Sequence, residues 1–247
     1  MKKLYFILKN IFAAIFSRNK STPKNKKAVG GRKKELYSRI VSKVVKERYS
    51  TPGISEHAMV DETAKIDESA TVSAGVFVGA NVKIGENTRI YPNATILDDT
   101  VIGNDVVIGS SAVIGYEGFG YYQRKEDNAI KRVPQIGKVV INNSVHIGAN
   151  TTINRGSNSD TTIGKDTKIN NNTHIAHNVN IGKSCIIMSC VSINGSTIVG
   201  DNVVINPQVA ISKHIKIGDN AEIGMNSTVI RDVQANTRVL GSPAKEK

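Results

Sequence analysis

The sequence has no tryptophan, only 5% aromatic residues among 247, and just two cysteines and six prolines. So few aromatics exclude a core built on large rings, and two thiols are too few for a disulfide framework, which points to a reducing compartment. Cys185 and Cys190 have no adjacent His or Lys to lower a thiol pKa, so neither reads as a nucleophile. Long apolar runs are missing too. The nearest is residues 4–16, interrupted by Lys9 and Asn10, and thirteen residues are too few for a membrane-spanning helix. With Lys9 inside it and no convincing small-x-small cleavage site after it, the stretch also fits a secretion signal poorly. Acidic residues are absent from positions 1–34, which carry eleven Lys or Arg, leaving +1 of the formal +12 for the rest of the chain. A nucleic-acid-binding face beyond that segment is therefore unsupported, and nucleic acid is not an expected partner.

What is present is a repeat. From Ile54, an Ile or Val recurs every sixth residue to Ile114, again at Ile141, Ile147 and Ile153, and from Ile163 to Val229, making 26 hexads. A period of six is neither helix nor ordinary strand. Two positions earlier stands Ala, Thr or Val in most hexads, and Gly, Asn or Asp soon interrupts the alternation, so each hexad reads as one short strand and one corner. Gly164, Gly182, Gly200 and Gly218 recur at intervals of 18, so three hexads close one turn of a triangular prism. Burying 26 branched side chains at roughly 1.5–3 kcal/mol each offsets the conformational entropy lost. Such repeats resemble the hexapeptide-repeat transferases. The resemblance implies their all-β fold, a left-handed parallel β-helix, here with a short helical N-terminal extension.

The chain divides into a basic amphipathic tail and linker (1–34), a capping helix (35–53) and the β-helix domain (54–247). In the tail Leu4, Ile7, Leu8, Ile11 and Ile15 share one helical stripe, followed by eight basic residues from Arg18 to Lys34. Such a segment suits an anionic membrane surface, at about 1 kcal/mol per basic group. Packing of the stripe on the protein itself or on a sister subunit is the alternative. The repeat breaks twice, in an excursion over 115–140 and at four extra residues within Arg155–Thr162. Insertions in a solenoid project from one corner and commonly carry function.

His177 follows the inward Ile175 by two residues, at a corner where its ring can face outward. An imidazole near pKa 6.5 can accept a proton from an attacking amine or hydroxyl at neutral pH. His214 lies 37 residues on, two turns plus one residue, and so falls on the same edge, roughly 10 Å away at the spacing of adjacent strands. Gly195, one turn from His177, can expose a backbone amide to a developing oxyanion. Phe119 and Tyr121, in the excursion, are candidate substrate contacts. The Gly118-Phe119-Gly120 triplet is too short for a phosphate-binding loop.

The run Ile114-Gly115-Tyr116-Glu117-Gly118-Phe119-Gly120-Tyr121, then Pro134-Gln135-Ile136-Gly137, Ile147 through Gly156, Asp160-Thr161-Thr162-Ile163-Gly164 and Ile175-Ala176-His177-Asn178-Val179 resembles the UDP-3-O-acylglucosamine N-acyltransferases of lipid A synthesis over about residues 54–230. The resemblance implies His177 as general base, with His214 and Asn178 as substrate-binding residues and Gly195 as oxyanion donor. It also implies a homotrimer with sites between neighbouring prisms. No bound cofactor or metal is implied. The cosubstrate is an acyl thioester of acyl carrier protein or coenzyme A, the acceptor a nucleotide-linked or lipid-linked amino sugar, and the location cytoplasmic, with peripheral contact at the inner membrane face through 1–34. Two departures stand out. About 50 residues of different character occupy the place of the family's uridine-binding domain, and the ending Val239–Lys247 resembles acetyl-CoA-dependent transferases rather than a helical extension.

Three other functions stay open. An acetyl-CoA-dependent sugar N- or O-acetyltransferase suits the two departures. A metal-dependent hydratase like the γ-type carbonic anhydrases would draw on His146, His174 and His177, but the strand-to-corner step between His174 and His177 should aim them apart. A passive scaffold or ice-binding prism lacks the flat Thr arrays expected of it.

Overall fold

In a computed structural model the described residues are 51–246, and they form a parallel β-helix with no helix among them. Each of the 26 hexad aliphatics ends a strand of two to four residues, apart from Ile114, which lies inside Val113–Tyr116, and Ile153, inside Thr152–Asn154. Strands stack turn on turn into three parallel faces. The first begins with Gly53–Ile54, the second with Met59–Val60 and the third with Lys65–Ile66. The pairing of Gly53 with Thr71 and of Met59 with Phe77 fixes the turn at 18 residues. From Val72 onward every hexad aliphatic is buried, at most 4% exposed, whereas Ile54 and Val60 in the first turn are exposed. The residue two before each aliphatic fills the remaining interior, with Thr88, Thr100, Thr167 and Cys185 fully buried. Thr88 and Thr167 hydroxyls donate to the Gly103 and Gly182 carbonyls, so small polar residues are tolerated there.

Corners follow a rule. Three residues past the aliphatic, the backbone turns left-handed at φ near +60°, and Asn, Asp and Ser supply most of these positions, since short polar side chains tolerate that region. Cys190, Gln208 and His214 occupy it as well.

The excursion is more ordered than a surface loop. Tyr121–Gln123 and Ile130–Arg132 pair as an antiparallel hairpin, closed by a turn in which Asn128 is left-handed and the Asp127 carboxylate accepts from the Ala129 N–H. The second insertion leaves the flanking strands in register: Thr152 pairs with His174, four residues beyond the usual 18. The two insertions brace each other, the N–H groups of Ile136 and Gly137 donating to the carbonyls of Ser157 and Gly156 at 2.9 Å. After Val229, Arg238–Leu240 continues the first face in parallel and Lys245–Glu246 folds back antiparallel to it. The basic tail and all but the last three residues of the expected capping helix lie outside the described residues, and Gly53 already belongs to the first strand.

Candidate active site

His177, Gly195 and His214 lie on one edge, following strands His174–Ile175, Ser192–Ile193 and Ala210–Ile211, which are successive neighbours in the second face. All three line one cleft of about 850 Å³ whose other wall is the base of the excursion, with Tyr116, Glu117, Gly118, Phe119, Tyr121 and Arg132. The repeat thus brings together the histidines that the sequence placed two turns apart, and the excursion closes over them. Phe119 is 90% exposed and its ring stands 4.8 Å from that of Tyr121. Together they form an aromatic rim.

The half-buried His177 ring is held on three sides. A Cβ on Gly118 would come within 2.9 Å of its Cβ and Cδ2, and a Cβ on Gly195 within 2.7 Å of its Cε1 and 2.8 Å of its Nε2. Only glycine fits at either place. On the third side Nδ1 lies 3.2 Å from Asn178 Oδ1. That oxygen also accepts the Ser157 backbone N–H at 2.6 Å, and a backbone N–H can only donate, so the orientation of the carboxamide is fixed. An acceptor facing Nδ1 requires the ring hydrogen there and leaves the lone pair on Nε2. Asn178, expected among the substrate-binding residues, is instead buried, and its side-chain atoms are engaged by residues 157–159 and His177. Its place in this geometry is behind the histidine.

The Gly195 N–H has no hydrogen-bond partner among the described residues, whereas its carbonyl accepts the His214 N–H at 3.0 Å. His214 is exposed and left-handed at φ 59°, an unusual position for a bulky ring. His174, on the strand leading to His177, also lines the cleft, and burial lowers its pKa. His146 is on a different face, the first, so the three histidines weighed as metal ligands are not assembled within one chain. Among the described residues no three His, Cys, Asp or Glu side chains converge.

Several wall residues were not anticipated. Arg132 pairs with the Glu117 carboxylate across the base of the hairpin. Lys213 lines the cleft and makes no ion pair among the described residues. Asn154 is 5% exposed; its Nδ2 donates to the Glu117 carbonyl at 2.7 Å, and its Oδ1 has no partner among the described residues. The resemblance includes Glu117 and Asn154 within its matched strings, but their spacing gave neither a distinct role.

Comparison with known proteins agrees with this fold. The family model "bacterial transferase hexapeptide (six repeats)" matches residues 81–116, 160–195 and 196–231. A UDP-3-O-acylglucosamine N-acyltransferase of Aromatoleum aromaticum is 51% identical over 47 residues, 19% of this chain and 14% of that protein. The homologue from Dechloromonas aromatica is 54% identical over 48 residues, again 19% of this chain and 13% of its own length. The matched stretch therefore spans about a seventh of these relatives. Among solved structures, the UDP-N-acetylglucosamine acyltransferase of Francisella novicida superposes with a TM-score of 0.72 at 28% identity, covering 79% of this chain and 69% of that one. The UDP-N-acetylglucosamine O-acyltransferase of Moraxella catarrhalis gives 0.70 at 27%, covering 78% and 73%. The coil matches the left-handed β-helix of hexapeptide repeats.

Proposed function

We propose that this chain, which belongs to the bacterial hexapeptide-repeat transferases, is an acyltransferase that moves an acyl group from a thioester to the amine of an amino sugar. The supporting observation is the clamped His177, packed against Gly195 in a cleft, with the Gly195 N–H unpartnered among the described residues. In this reading the amine nitrogen attacks the thioester carbonyl while Nε2 takes its proton. The carbonyl oxygen, now negative, receives the Gly195 N–H. Collapse breaks the C–S bond, and the imidazolium returns the proton to the departing thiolate, so the products are amide and thiol. His214 and Lys213 position the acceptor.

The acceptor class, a nucleotide-linked or lipid-linked amino sugar of surface glycolipid synthesis, draws on the names of the relatives and on the motifs around Gly156 and His177. Acyl carrier protein or coenzyme A as donor, a homotrimer that pairs each cleft with a neighbouring prism, and a cytoplasmic location are proposed on the resemblance of those motifs alone. None of the described helices is long and apolar enough to cross a membrane, because there are none.

The test is direct. Purified protein is incubated with acyl-carrier-protein thioesters or acetyl-CoA and a panel of nucleotide amino sugars, and the products are weighed by mass spectrometry. The expected result is an acylated amino sugar that a folded His177→Ala variant does not make. Equal product from that variant would refute the reading.

A further inference from the structure

We propose that the four-residue insertion within Arg155–Thr162 is a tautomer lock for His177, and that Ser157 is a positioning residue acting through Asn178. The catalytic consequence rests on the acyl-transfer reading above. The lock itself does not.

Asn178 sits at an ordinary corner position, left-handed at φ 60°. Asn172, Asn202, Asn220 and Asn226 occupy the same position in other hexads, and all four are exposed. Asn178 alone among these five is buried, at 9% exposure, because the insertion folds over it. Its Oδ1 accepts the Ser157 N–H at 2.6 Å and the Ser157 hydroxyl at 2.8 Å. Its Nδ2 donates to Asn158 Oδ1 at 2.5 Å and Ser159 Oγ at 2.8 Å. Thr161 Oγ1 accepts its backbone N–H at 2.9 Å. Gly156 makes the fold possible, since a side chain there would overlap the Ser159 carbonyl.

A carboxamide free to rotate would present oxygen or NH2 to His177 Nδ1 with little preference. Here a flip would set Nδ2 against the Ser157 N–H and Oδ1 against Asn158 Oδ1, two mismatches in a buried site. The oxygen is thereby held toward Nδ1, the ring hydrogen is drawn onto Nδ1, and Nε2 keeps the lone pair that a base needs. The orienting group is neutral. Unlike a carboxylate, it selects the tautomer by hydrogen bonding without adding a charge beside the ring.

The test is nitrogen NMR of protein labelled with ¹⁵N-histidine, at a pH where His177 is neutral, together with rate measurements across pH. In the native protein the expected signals are a protonated Nδ1 and an unprotonated Nε2. In Ser157→Ala/Ser159→Ala the backbone N–H of residue 157 still forbids a flip, but the carboxamide loses two of the four hydrogen bonds that hold it against Nδ1, so it can withdraw from the ring and a fraction with the hydrogen on Nε2 should appear. The turnover number should fall roughly tenfold, the loss expected for one hydrogen bond, with KM within about twofold. Ser157→Thr, which keeps a hydroxyl, should restore both. Asn178→Asp should move the acid limb of the rate profile to higher pH. A native His177 protonated on Nε2 overturns the proposal, and so do unchanged ring signals in the double alanine variant. If the signals shift as expected but no acyl transfer is found with any donor, the lock stands and only the acyl-transfer reading fails.

Discussion

Replacing Gly195 by alanine isolates the placement of the His177 ring from the stability of the coil. The φ of Gly195 lies outside the left-handed range, and the added methyl would meet one obstacle, the imidazole, at 2.7 Å from Cε1 and 2.8 Å from Nε2. Carbon atoms pack at about 3.5–4.0 Å, so the ring must retreat by roughly 1 Å. Gly118 and Asn178 close two ways out, leaving rotation toward the cleft and away from residue 195. A displacement of that size costs about a hundredfold in rate where geometry governs reaction. The unfolding free energy, by contrast, should change by less than about 1 kcal/mol, since no core side chain is disturbed. Steady-state kinetics with the thioester identified by mass spectrometry, beside urea denaturation of the same preparation, measures both. Turnover within twofold of the native protein would show that contact between ring and glycine does not position the base, and the argument from shape would fail.

Three further outcomes follow from particular residues. His177→Ala should lower the turnover number by about 10²–10⁴, while His214→Ala, at the rim, should act more on KM; equal effects on both parameters in both variants would contradict this division. A thiol reagent should label Cys190, which is exposed, and spare Cys185, which is fully buried with its pKa raised by burial and its Sγ 3.1 Å from the Gly200 carbonyl; two thiols reacting at equal rates in native protein would refute that packing. Partial desolvation holds the His174 ring below the usual imidazole value of 6.5 although the residue is exposed, and partial desolvation and then Lys168 do the same at the exposed His146. The unfolded chain therefore takes up protons at these sites first, so their contribution to stability is present above about pH 6.5 and is lost as pH falls below it. Urea midpoints at pH 7.5 and 5.5 should differ less in His146→Gln/His174→Gln than in the native chain.

The coil was legible because its signal is redundant. One aliphatic type every six residues, repeated 26 times, fixes strand, corner and face together, and an 18-residue glycine interval fixes the turn. The shared edge of His177, Gly195 and His214 followed from counting alone. Contacts made by the insertions were less accessible, since the repeat says nothing about a segment that leaves it. The hairpin had a local cue in Asp127-Asn128, whose turn geometry the structure displays, yet no periodicity fixed where its base would land. Gly118 against His177, and residues 157–159 around Asn178, are contacts between an insertion and a corner, and only packing defines them. The sequence placed Asn178 among the oxyanion or substrate-binding residues by resemblance alone, and its burial under the second insertion and its contact with His177 Nδ1 are visible only in the packing.

The same regularity shows what the active edge gives up. At corners on the third face, the exposed N–H two residues past the aliphatic is capped by a side chain one turn on: Asp201 accepts from Lys183 at 2.9 Å, Asp219 from Asp201 at 2.8 Å, and Asn104 from Glu86 at 3.1 Å. The corresponding partner for Gly195 is Lys213, 18 residues on, whose side chain has no acceptor to offer, and the N–H has no partner among the described residues. Lys213→Asn should restore the cap, as Asn143 caps Asn104 at 3.0 Å. The added hydrogen bond should raise stability by about 0.5–1.5 kcal/mol. If the free N–H receives the oxyanion, the turnover number should fall by about 10²–10³, and Lys213→Ala, which removes the charge without supplying a cap, should lose much less. Equal losses in the two variants would assign the effect to the ammonium and remove Gly195 from the chemistry.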